Sequence, residues 1–213
     1  MGKIKRGILG GFSGKVGPIV GSSWKGKAYM KSAPLHVRNP RTLEQQCQRK
    51  KFAMVMKFLT AINPYLKFGY KNKATDKTAM NAAMSYMLKN GCVVGEFPNY
   101  TIDYASAKVA TGDLRRGQNV SFNLIGNIAN YHWTDNSDNG NAHATDFAMG
   151  LLYNPAKNEA EYDIGNATRA DGSLQFSFPP EWMDDRVEVY LSFMSEDGKQ
   201  VSESEYVGEV LIE

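Results

Sequence analysis

The chain has 213 residues, 42% hydrophobic and 22% charged, enough to bury a core in one substantial domain or two small ones. Its formal charge of +3 hides a division: residues 1–90 carry 18 Lys and Arg against Glu44 and Asp76 (+16), and residues 91–213 carry 7 against 20 acids (−13). No apolar run reaches the about 18 residues of a membrane span or resembles a secretory signal, and two cysteines cannot build a disulfide framework, so a cytoplasmic protein is expected.

The segment Ile8–Met30 sets Val16, Ile19, Val20, Trp24, Ala28 and Met30 among glycines at 10, 11, 14, 17, 21 and 26. That pattern predicts a short β-ribbon whose bends rely on glycine. Pro34 and Pro40 hold the following connector extended. A first helix is expected after Thr42, which forms a capping box with Gln45. Cys47, Phe52, Val55, Met56, Leu59 and Ile62 form its inward stripe, and Pro64 interrupts or ends it. Gly69–Thr75 reads as a turn, and a second helix spans Asp76–Lys89 with Gly91 closing it.

Beyond Gly95 the apolar period changes to two. Strands are expected around Tyr100–Tyr104, Val120–Leu124, Tyr131–Trp133, Phe147–Tyr153, Ala160–Ile164, Leu174–Phe178, Val187–Phe193 and Tyr206–Ile212. Asp171-Gly172 and Asp197-Gly198 mark turns, and Pro179-Pro180 ends a strand. The expected fold is therefore α+β: a Gly-rich β-ribbon with two helices in residues 1–95, then an acidic immunoglobulin-like antiparallel β-sandwich in 96–213.

The Gly-rich stretch is not a phosphate-binding loop. Gly14-Lys15 is followed by Val16 in place of the metal-binding hydroxyl, and Leu9 stands where the first glycine belongs. A cationic, aromatic ribbon remains. Together with the helix start it forms a candidate interaction surface of Lys15, Trp24, Lys25, Lys27, Arg38, Arg41, Gln45, Arg49, Lys50 and Lys57.

Catalytic, cofactor and metal sites are not expected. His36, His132 and His143 have no companion metal ligands at zinc spacing, and His132 should point opposite to Tyr131 and Trp133. Asp135–Asp146 follows the spacing of a calcium loop, with Gly140 at the turn position. Its last ligand would be the short Asp146 and its flanks read as strands, so an exposed turn without Ca2+ is expected. The acids of the second half read as a solvated face, without the opposed pair that glycoside hydrolysis requires.

The ribbon GGFSGKVGPIVGSSWKGKAYMKS, the connector NPRT, the helix start EQQCQRKKF and the closing YLSFMSEDGKQVSESEYVG together resemble an uncharacterised Bacteroidota family, a domain of unknown function. That resemblance covers most of the chain and implies no catalytic residue. Asn39–Thr42 with Gln45, Gln46, Gln48 and Arg49 is also similar, over a short stretch, to segments of phage and prophage virion proteins. The expected function is that of a non-enzymatic structural or protein-interaction protein, self-assembling through its basic and acidic halves. The alternative is a nucleic-acid-binding protein that uses the basic ribbon and helix.

Overall fold

The computed structural model describes residues 2–4, 10–24, 27–35, 41–73 and 77–213. Contacts divide the chain into two units, Met1–Thr42 and Leu43–Glu213.

The first unit is an antiparallel ribbon. Strands β1 (Lys3–Ile4), β2 (Phe12–Val16), β3 (Ile19–Trp24) and β4 (Lys27–Ser32) pair in that order. Gly17 turns β2 into β3 with a φ of 56°. Gly21 is the one described residue of this unit that is buried. The backbone of Phe12 lies directly over it: a Cβ at position 21 would stand 2.2 Å from the Phe12 carbonyl oxygen.

The second unit opens with α1 (Leu43–Ala61), followed by α2 (Asn63–Gly69) and α3 (Ala79–Lys89). Helix α1 buries Val55, Phe58 and Leu59, and Ile62 continues the stripe just beyond its end. Its first half stands outside this core, and Phe52, expected inward, is 44% exposed. Pro64 lies in the first turn of α2, where its missing N–H leaves no bond unmade. Helix α3 begins at Ala79 rather than Asp76. The cap is Thr78, whose Oγ1 accepts a bond from the Asn81 amide at 3.2 Å.

Nine strands follow. Strands β5 (Val93–Glu96) and β6 (Asn99–Ile102) form a separate hairpin. Strands β7 (Gln118–Ile125), β8 (Ile128–Thr134) and β11 (Ser173–Ser177) form a sheet of order β11-β8-β7. Strands β9 (Phe147–Asn154), β10 (Glu159–Thr168), β12 (Arg186–Met194) and β13 (Glu205–Leu211) form the other, of order β10-β9-β12-β13. Every strand pairing is antiparallel.

Alternation along β9 and β12 explains how the layers stack. Ala148 and Leu152 of β9, with Val189, Leu191 and Phe193 of β12, share a core with Tyr131, Trp133 and Leu174 of the smaller sheet. The intervening Met149, Leu151, Tyr153, Tyr190 and Met194 share another with Phe58, Leu59, Tyr65 and Met87 of the helices. The four-stranded sheet is thus covered on both faces. The contact division at Thr42/Leu43 groups the helices with the strands, and the helices bury the sheet's second apolar face. The α+β class stands.

Candidate interaction surfaces

Pairing register fixes what each side of the ribbon carries. Val16 pairs with Ile19, Gly21 with Met30, and Ser23 with Ala28, so these uncharged residues share one face. Lys15 pairs with Val20, Val20 with Lys31, Ser22 with Tyr29, and Trp24 with Lys27, which places cations and aromatic rings on the opposite face. Among the described residues neither face makes a closed interior. Val16, Ile19, Trp24, Tyr29 and Met30 are all exposed, Trp24 by 67% and Met30 by 68%.

The ribbon thus brings together Lys15, Trp24 and Lys27 from the candidate set and adds Tyr29 and Lys31. Lys25 and Arg38 lie outside the described residues. Arg41 is exposed just before α1, and Gln45, Arg49, Lys50 and Lys57 are exposed on it. About 100° of rotation per residue puts Gln45 and Arg49 on one side of α1 and Lys50 with Lys57 on another. The α1 residues therefore do not form a single face.

Lys50 and Lys57 border a groove of about 540 Å3 within the second unit. Ala53 and Met54 complete its α1 wall, and Tyr100, Thr101 and Ile102 supply the wall across from it. Three clustered rings line it. Phe58 stands edge-on to Tyr153 at 4.7 Å and to Tyr104 at 5.6 Å between centroids. Two lysines tie the β5–β6 hairpin to α1: Lys51 Nζ is 4.9 Å from the Tyr100 ring centre, and Lys50 Nζ is 5.9 Å from that of Phe97.

A buried carboxylate lies on the helix-facing side of the same sheet. Glu188 accepts a bond from the Tyr206 hydroxyl at 2.7 Å, and burial pushes its carboxyl above the ordinary range. Its charge raises the phenols of Tyr104 and Tyr153, after the larger effect of their own burial.

Apart from Arg115, the cations of the strand body are paired, in contrast to the lysines of the helical layer. Lys108, Arg116, Lys157, Arg169, Arg186 and Lys199, all within or between the strands, pair with carboxylates. Among the described residues, none of Lys50, Lys51, Lys57, Lys67, Lys71, Lys73, Lys77 and Lys89 makes an ion pair. These lysines therefore give the helical layer a positive field.

The Asp135–Asp146 loop is organised around a side chain. Arg169, fully buried, donates from Nε to Asp146 Oδ2 at 3.0 Å and from Nη1 to Asn136 Oδ1 at 2.7 Å. Its Nη2 donates to the Arg115 carbonyl at 2.9 Å, and its guanidinium stacks 4.0 Å from the Phe193 ring centre. Asp135 Oδ1 instead accepts the Ser137 amide at 2.9 Å, which holds its carboxyl below the ordinary range. The loop's first and last carboxylates thus serve separate local roles. Among the described residues no group of three or more His, Cys, Asp or Glu is placed to hold a metal ion. His132 points outward and His143 is exposed, while His36 lies outside the described residues.

Sequence reasoning missed both Arg169 and the groove's aromatic lining. The continuous apolar runs of β9 and β12, buried on both faces, were the available sign that a further layer covers this sheet.

These features define an α+β protein with an open ribbon and a layered helix-and-sheet body. The chain belongs to a family of unknown function, DUF6266, whose model matches residues 11–208. No curated protein matches it. No helix among the described residues is long and apolar enough to cross a membrane.

Proposed function

We propose that the chain is a non-enzymatic interaction protein that self-associates, the ribbon of one copy docking on the acidic strands of another. One observation carries this reading. The ribbon exposes apolar side chains on both faces and, among its described residues, buries only Gly21. Burial against a partner removes such surface from water, at about 25 cal/mol per Å2 of apolar area. An acidic counterpart is present on β10, an edge strand of its sheet. Glu159, Glu161 and Asp163 alternate along it and so share a face, and none makes an ion pair among the described residues. Burial, and secondarily Glu159, push the Glu161 carboxyl upward, as expected of a surface lacking a nearby cation.

Strand order supports the immunoglobulin-like reading of the strand body. With β7, β8, β9, β10, β11, β12 and β13 labelled A, B, C, C′, E, F and G, one sheet runs A-B-E and the other C′-C-F-G. The short likeness of Asn39–Arg49 to virion segments fits an assembling protein, since virions are built from repeated contacts.

Light scattering across a salt series, without nucleic acid, tests the proposal. Assembly should grow as salt falls, because charge steers the contact. A strict monomer at low salt and high protein concentration would contradict it.

One observation favours a second reading, nucleic-acid binding. Lys15, Lys27 and Lys31 share a ribbon face with Trp24 and Tyr29, the combination that tracks phosphates and stacks bases. That reading expects polynucleotide affinity that falls steeply with salt and weakens in Lys27→Glu. Polynucleotide binding indifferent to both changes would reject it.

A further inference from the structure

We propose that the groove between α1 and β6 binds a small aromatic carboxylate, its ring seated against Phe58, Tyr104 and Tyr153 and its charge met by Lys57. The site is distinct from the ribbon and goes beyond the assembly reading.

Size, lining and charge each narrow the occupant. A volume of about 540 Å3 lies in the range of small-molecule sites rather than of protein docking faces. The lining is aromatic and already arranged edge-to-face, with interplanar angles of 73° for Phe58–Tyr153 and 71° for Phe58–Tyr104. A planar aromatic ligand extends that packing, whereas an aliphatic one gains only area.

Charge sets the sign of the ligand. Lys50 and Lys57, seven residues and about two helical turns apart, border the same groove. Neither makes an ion pair among the described residues. Lys57 and Phe58 both line the groove, which puts a cation at the rim of the ring-lined space and makes it the partner for the carboxylate. Lys50, held near the Phe97 ring, adds positive potential at the hairpin side. The one buried carboxylate nearby, Glu188, is engaged by the Tyr206 hydroxyl, and burial favours its neutral form.

Calorimetric titration of the full chain with 2-naphthoate, its uncharged counterpart 2-naphthamide and phenyltrimethylammonium tests the site. Saturable 2-naphthoate binding at one per chain is expected, about tenfold tighter than 2-naphthamide, from a charge-assisted contact. Lys57→Gln should erase that preference. Ala53→Trp, at an exposed position on the groove wall, should block all binding while the melting temperature stays unchanged. No saturable 2-naphthoate binding, equal affinity for the two naphthalenes, or tighter binding of phenyltrimethylammonium would each overturn the proposal. Unchanged 2-naphthoate binding in either variant would do the same, by placing the ligand elsewhere.

Discussion

In Leu43–Glu213, apolar side chains close between helices and two sheets, and six cations are paired with carboxylates. In the ribbon, Val16, Ile19, Trp24, Tyr29 and Met30 remain exposed although they are as hydrophobic as the residues of that core. The difference lies in stacking. A sheet covered on both faces turns alternation into two interiors, whereas a ribbon whose described side chains stay exposed on both faces turns the same alternation into two surfaces. An interior stabilises its own chain; two surfaces are stabilised by what they meet.

Substitutions can break or sharpen this contrast, and the largest effect belongs to the closed unit. Arg169→Met removes the cation from a fully buried pair and strands Asp146 without it. Thermal or urea unfolding should register a loss of about 3–5 kcal/mol. A loss below about 1 kcal/mol would mean that water already serves the loop.

In the ribbon the equivalent probe is Gly21→Ala, whose Cβ meets the Phe12 carbonyl oxygen. Displacing that backbone costs about 1–3 kcal/mol. Hydrogen exchange should rise in β2 and β3 while the unfolding midpoint of Leu43–Glu213 holds.

A smaller effect is expected at Thr78→Ala, which removes the α3 cap. Denaturation should show a loss of about 1 kcal/mol. Because α3 belongs to the layer that covers the sheet, this loss should appear in the global transition.

Glu188→Gln reads the pH dependence of the same interior. The folded Glu188 carboxyl titrates above its unfolded value, about 4.3. Its contribution to stability is therefore complete below that value and is lost as pH rises through the folded one. Glu188→Gln should melt higher than the parent at neutral pH and together with it in acid. Coincident melting at both would show that Glu188 ionises without penalty. Asp185 and Asp197 are held low by hydrogen bonds, from Lys157 and Ser195 respectively before the others, so their contributions fade as pH falls below the usual carboxylate range.

Much of the fold was legible where the pattern is local. Tyr131 and Trp133 inward with His132 outward, the turns at Gly172 and Gly198, and the α1 stripe from Val55 follow from periodicity and glycine geometry. Sharing of one core by the helices with β9 and β12 was not, since period two fixes which residues share a face but not what covers it. Phe52 illustrates the same limit: its spacing fits the stripe, yet the first half of α1 extends past the core. The candidate site was legible only in its charges. Lys50 and Lys57 stood out as cations, while two of the rings beside them, Tyr104 and Tyr153, arrive from segments distant in sequence. Arg169 carried no local signal, because its partners come from the Asp135–Asp146 loop and from Arg115, both distant in sequence.

Hydrogen exchange of the ribbon amides, followed as protein concentration rises at low salt, tests the contact-surface account most directly. Protection in β2, β3 and β4 should increase with concentration and vanish when salt is raised, with the cores of Leu43–Glu213 unchanged. Ribbon protection that stays the same from dilute to concentrated protein would contradict it.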